Sequence, residues 1–161
     1  MADELPEKHV VWRIVQDHEN KNLMFIGTEF GIFFTVDGGE QWVELEGGMP
    51  TISTRDVKIQ RRENDLVAGT FGRGIYILDD YAPLRSLTKK SMEEDALLFA
   101  PSRPVKWYQP DDNHTDSDGD DRYVAENPEH GATLTYYLKD SLLTAKEKRQ
   151  KAEKKLMEGK D

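Results

Sequence analysis

The chain repeats itself. Residues 22–34, Asn-Leu-Met-Phe-Ile-Gly-Thr-Glu-Phe-Gly-Ile-Phe-Phe, recur in outline at 64–77 as Asn-Asp-Leu-Val-Ala-Gly-Thr-Phe-Gly-Arg-Gly-Ile-Tyr-Ile. Gly27 and Gly69 lie 42 residues apart, whereas Gly31 and Gly74 lie 43 apart, so the second copy carries one extra residue in its turn. A period of this length marks a fold assembled from one supersecondary unit used more than once.

The unit is made of short strands. Val10 to Val15, Leu23 to Gly27, Ile32 to Val36 and Trp42 to Leu45 each combine apolar, β-branched or aromatic residues, with Gly, Asn and Asp clustered between them. This predicts a four-stranded antiparallel meander. In the second copy Asp56 to Ile59, Leu66 to Gly69 and Ile75 to Leu78 supply three strands, and the fourth is missing because Pro83 interrupts a segment without alternation. Four strands in about 40 to 50 residues is the pattern of a β-propeller blade, and a closed ring takes about four to eight blades. The expected fold class is therefore all-β. It comprises a partial propeller, with one blade at 5–50 and an incomplete one at 51–87, completed by further blades or by self-association.

Beyond Leu87 the character changes. Residues 88–131 hold Pro101, Pro104, Pro110 and Pro128 and the acidic stretch 111–121, which has six Asp and no Lys or Arg, and they read as a linker with a solvated loop. Residues 132–161 read as a strand, Ala132 to Leu138, and a helix that begins a further domain. Thr144-Ala145-Lys146-Glu147 is a capping-box pattern, Glu147 and Lys151 stand at i,i+4 spacing, and Gly159 supplies a stop. The helix has only a narrow apolar stripe, Leu142, Ala145, Ala152 and Leu156.

Charge and composition narrow the partners. Thirty-one acids against twenty-two bases leave a formal charge of −9, which repels a phosphate backbone, so nucleic acid is not expected. With no Cys there are no disulfides or thiolate metal sites. Residues 1–8 have no basic start or apolar run of a signal peptide, and no stretch has the length of a membrane span.

The turn from Thr35 to Trp42 raises the question of a site. An Asp side chain at position 37 can accept from backbone N–H groups of its own turn, Gly38 and Gly39 permit positive φ, and Trp42 can cover the hairpin. That chemistry favours a structural staple over a catalytic Asp37. The pattern Thr35-x-Asp37-x-Gly39-x-x-Trp42 matches the Asp-box, the repeat of bacterial neuraminidases.

The sequence from Leu23 to Pro50, followed by Arg55 to Leu87, resembles the last blades of the sortilin-type Asp-box propellers of large bacterial proteins often labelled glycosyl hydrolases. The likeness spans about residues 5 to 140. It implies a multi-blade propeller, a linker at Leu98-Phe99-Ala100-Pro101, and a C-terminal β-sandwich whose first strand is Ala132 to Leu138. It also implies an extracytoplasmic parent, secreted or periplasmic. The second unit departs from the motif, having Asp79-Asp80 without the Gly and Trp.

Two ligand-binding residues stand out. Gly72-Arg73-Gly74 and Glu29 lie in the turns between second and third strands, at the propeller face that often holds ligands. Arg73 offers a planar donor for a carboxylate, such as that of an acidic glycan. The plainer alternative has Arg73 bracing Asp79, Asp80 or Glu29. No catalytic constellation is visible: a glycosidase needs two flanking carboxylates, and Trp12-Arg13-Ile14-Val15 lacks the Pro of the sialidase Arg-Ile-Pro signature. Residues 114–125 fit a calcium loop poorly, with His114 and Ala125 where an Asp and a bidentate Glu belong. His9, His18, His114 and His130 show no metal-ligand spacing. The Lys-rich stretch 146–160 is interrupted by Glu147, Glu153 and Glu158, as a solvated helix face would be.

These readings converge on a non-catalytic propeller segment that serves as an interaction scaffold for a protein or glycan ligand, without cofactor or metal. The alternative is part of a glycoside hydrolase whose catalytic residues lie in other blades.

Overall fold

In the computed structural model Leu5 and residues 10–104, 131–140 and 142–158 are described. The acidic stretch 111–121, His9, His114, His130 and Gly159 lie outside the described residues. The fold is mostly β, with three antiparallel sheets and one helix among the described residues.

The first sheet is a meander, β1 (Val11–Gln16), β2 (Met24–Thr28), β3 (Ile32–Thr35) and β4 (Val43–Glu44), paired in chain order. The second is β5 (Thr54–Gln60), β6 (Asp65–Thr70) and β7 (Ile75–Leu78), again in chain order. In place of a fourth strand the chain enters a 3₁₀ turn at Ala82–Ser86. Pro83 lies in its first turn, where the fixed φ suits a helical start and the missing N–H costs nothing.

The repeat holds down to individual hydrogen bonds. Thr28 gives both its N–H (2.8 Å) and its hydroxyl (3.1 Å) to the Gly31 carbonyl, closing the β2–β3 turn. Thr70 does the same to the Gly74 carbonyl (3.0 and 2.7 Å) across a turn one residue longer. Both first strands shift register at corresponding places, between Val11 and Arg13 and between Thr54 and Asp56, so that Trp12 and Arg55 are the bulged residues.

The two sheets stack face to face. Phe25, Ile32 and Phe34 of the first meet Val57, Leu66, Ala68 and Tyr76 of the second, and Leu23 and Tyr81 complete the core. Alternation places these side chains on facing surfaces, and Phe25, Leu66 and Val57 are almost wholly buried. Tyr81 meets Phe25 edge-on at 5.1 Å between ring centroids. The closest approach is at Gly27, where an added Cβ would stand 2.6 Å from the Thr54 carbonyl oxygen and 2.9 Å from Val57. Gly69, the counterpart in the second sheet, has 3.7 Å to its nearest atom.

The described residues just after Leu87 contain a short turn and a strand. Thr88 and Ser91 exchange hydrogen bonds around a second 3₁₀ turn, Ser91–Glu93. The strand β8 (Ala96–Leu98) then pairs antiparallel with β9 (Tyr136–Leu138) to form the third sheet. Strand structure thus reaches Leu98, where the resemblance implied linker, and begins at Tyr136 rather than Ala132. The helix α1 (Ala145–Glu158) starts with a formed capping box: Thr144 donates its N–H to Glu147 (2.8 Å), and Glu147 N–H returns to the Thr144 hydroxyl (3.3 Å). Leu142, Leu156 and Met157 remain exposed. Among the described residues no helix is long and apolar enough to cross a membrane.

Candidate functional site

The two ends of the sheet stack differ in how their polar groups are used. One end carries the β1–β2 and β3–β4 turns and the 3₁₀ turn after β7. There Asp17, whose side chain is fully buried, follows β1 and accepts five hydrogen bonds. Arg85 Nε and Nη2 grip it at 2.8 Å each, the Tyr81 hydroxyl donates at 2.5 Å, and the Asn20 and Glu19 N–H groups donate at 2.7 and 3.1 Å. Arg85 Nη2 also donates to Asn64 Oδ1 at 2.8 Å, and Nη1 lies 3.0 Å from Glu19 Oε1. One guanidinium therefore ties the first sheet's β1–β2 turn to the β5–β6 turn and the 3₁₀ segment of the second.

Electrostatics follow from this geometry. Burial pushes the Asp17 carboxyl up, but the donors from Arg85, Tyr81 and the backbone more than offset it and hold the group far below the usual carboxylate range. Burial and the neighbouring Asp17 carboxylate push the Tyr81 phenol up, and the hydrogen bond to Asp17 raises Arg85 further. With its oxygens occupied by five donors and its pKa held low, Asp17 is unsuited to proton transfer near neutral pH.

The Thr35–Trp42 turn lies at this same end, since Gly38 N–H donates to the Asn22 carbonyl at 3.0 Å. The Thr35 hydroxyl donates to Asp37 Oδ1 (2.7 Å), which also accepts from Gln41 N–H (3.0 Å), and Thr35 Oγ1 accepts from Gly39 N–H (3.1 Å). Gly38 and Gly39 have φ of 82° and 103°, a region open to glycine. Trp42 is half-buried, with its ring over Gly39. Burial acts upward on Asp37, but Thr35, Gln41 and the Lys89 ammonium 3.8 Å away bring it below its ordinary value. Its Oδ1 is engaged inside its own turn and its Oδ2 faces the Lys89 ammonium.

The opposite end carries the β2–β3 and β6–β7 turns. Glu29 and Arg73 are both exposed there, and among the described residues the structure brings neither into an ion pair, with each other or with Asp79 or Asp80. Asp80 instead supports the backbone: it accepts from Ala82 N–H and from the Ser102 hydroxyl. What the structure does bring together lies between the two turns. The bulged Arg55 stacks its guanidinium over the bulged Trp12, 4.0 Å from the ring centroid, with the Phe71 ring 5.2 Å away. Trp12 is 40% exposed and Phe71 69%, so apolar rings and a cation face solvent side by side. Arg55 Nε donates to Ser53 Oγ at 3.2 Å, while Phe71 N–H donates to the Ser53 carbonyl at 2.8 Å, fixing the turn beside it. Arg13 and Asp56, at corresponding positions of the repeat, pair at 3.3 Å.

Sequence reasoning located the turns but missed this cluster. The available signal was the repeat itself, which aligns Trp12 with Arg55 at an offset of 43 residues. Among the described residues no group of three or more His, Asp or Glu could hold a metal ion. No family model, curated protein or solved structure matches the chain.

Proposed function

We propose that the chain is a non-catalytic interaction scaffold of stacked β-sheets, a segment of an Asp-box β-propeller of the sortilin type. On this reading it meets its protein or glycan ligand at the end that carries Glu29, Arg73 and the Trp12–Arg55–Phe71 cluster. The observation that supports this most is the contrast between the ends. At one, the buried acid is held by five protein donors and the turn acid by its own turn and the Lys89 ammonium. At the other, two aromatic rings and a stacked guanidinium remain open to solvent.

Such a cluster suits recognition. Exposed aromatic faces take the apolar faces of sugars or peptides, and a guanidinium held by ring stacking loses little freedom on accepting a carboxylate. On the same reading the parent is extracytoplasmic, secreted or periplasmic.

The test is saturation-transfer NMR on the full chain with acidic and neutral oligosaccharides and acidic peptides as probes. Saturable signals from at least one class, lost in Arg55→Ala with unchanged melting, are expected. No binding from any class, or equal binding by Arg55→Ala, contradicts the reading.

A further inference from the structure

The repeat identifies a missing strand. In the first sheet β3 is flanked on both sides: β2 pairs along one edge, and β4 along the other, where Phe34 faces Val43 and the Ile32 carbonyl accepts from Leu45 N–H at 2.8 Å. In the second sheet β7 corresponds to β3, with Ile75, Tyr76 and Ile77 standing where Ile32, Phe33 and Phe34 stand. Only β6 pairs with β7 among the described residues, and no strand among them takes up its other edge.

Two further features sit on that edge. A groove of about 90 Å³ adjoins it, lined by Tyr76, Ile77 and Leu78 of β7 together with Leu45, Met49 and Leu66 among others. Ile75 and Ile77, which alternate with Tyr76 along β7, are 71% and 59% exposed. An added strand would cover both: a side chain opposite Tyr76 enters the groove, and those opposite Ile75 and Ile77 cover the isoleucines. The ends of the edge are oppositely charged, with Arg73 before β7 and Asp79 after it, and neither is ion-paired among the described residues.

We propose that the outer edge of β7 is a strand-addition site for an extended segment of a partner chain. The segment runs antiparallel to β7, is apolar opposite Ile75, Tyr76 and Ile77, and is basic at its N-terminal end, beside Asp79, and acidic at its C-terminal end, beside Arg73. Main-chain hydrogen bonds supply the affinity, and the groove and the two end charges supply register and direction. The site shares Arg73 with the end that carries the Arg55 cluster, but its edge, groove and Asp79 lie outside that cluster, and it does not depend on a ligand at Arg55.

The experiment uses the full chain and a fluorescently labelled, amidated octapeptide, Lys-Lys-Thr-Val-Leu-Val-Glu-Glu, followed by anisotropy. Saturable binding with Kd of about 1–100 μM is expected. The charge-reversed peptide, Glu-Glu-Thr-Val-Leu-Val-Lys-Lys, should bind at least about fivefold more weakly at low salt, with the difference shrinking as salt is added. Asp79→Lys, which leaves both ends of the edge cationic, should abolish that preference without altering the melting temperature. No saturation by about 1 mM, or equal binding of the two peptides, overturns the proposal. So does light scattering that finds a dimer dispersed by Ile75→Lys, because a second copy then holds the edge.

Discussion

Arg85 holds Asp17 through two parallel hydrogen bonds of 2.8 Å, joining residues 68 positions apart in sequence and two different sheets. The Asp17 side chain is wholly buried and that of Arg85 only 14% exposed, so the pair is a buried polar tie across the stack. Removing one partner strands the other's charge in a desolvated place. Arg85→Ala is expected to lower stability by about 3 kcal/mol. Arg85→Lys should recover only part, since an ammonium cannot make the planar two-point contact. Urea unfolding of the three proteins checks this.

The same pair sets the acid limit of stability. The folded-state pKa of Asp17 lies below its ordinary 3.8, so its contribution is complete above the unfolded value and is lost as pH falls through it towards the folded value. Asp37, also depressed, acts in the same direction. Melting temperature should be flat from about pH 7 to 5 and then fall steeply. Asp17→Asn should be less stable at neutral pH and show a shallower acid limb. A parallel fall in both proteins would remove Asp17 from the explanation.

Gly27 and Gly69 occupy matching positions, but only Gly27 lies under the neighbouring sheet, where a Cβ would come within 2.6 Å of backbone. Gly27→Ala must push the sheets apart and should cost about 1–3 kcal/mol. Gly69→Ala meets nothing closer than 3.7 Å and should change stability by less than about 0.5 kcal/mol. Thermal unfolding of both variants provides the comparison.

Asp37→Ala removes an acceptor from the Thr35 hydroxyl and from Gln41 N–H. A loss of about 1–2 kcal/mol is expected, with ligand binding unchanged in NMR titrations at a temperature where the variant is folded. Loss of binding without loss of stability would make this turn a site rather than a staple.

Local features were legible in the sequence and distant ones were not. The strands from Val11 to Leu78 follow from short-range alternation and turn residues, and the capping box at Thr144 and Glu147 follows from a spacing of three. The extra residue in the second turn appears as a Thr70–Gly74 bond where the first repeat has Thr28–Gly31. Asp17, Asn64, Tyr81 and Arg85 gave no pattern because their grouping is created by stacking two sheets. The β8–β9 pairing failed to show for a similar reason, since the strands are about 40 residues apart and three residues each. At the other end, Glu29 and Arg73 could be assigned to their turns, but the stacking of Arg55 on Trp12 requires two bulges that alternation does not reveal.

The most direct measurement is amide shift mapping on the full chain with the strongest-binding probe from the oligosaccharide and peptide series. The account predicts perturbations concentrated at Trp12, Glu29, Arg55 and residues 71–74, with residues 17–20 and 37–42 unmoved. Perturbations centred on the Asp17 network or the Thr35–Trp42 turn, with the Arg55 end silent, would contradict it.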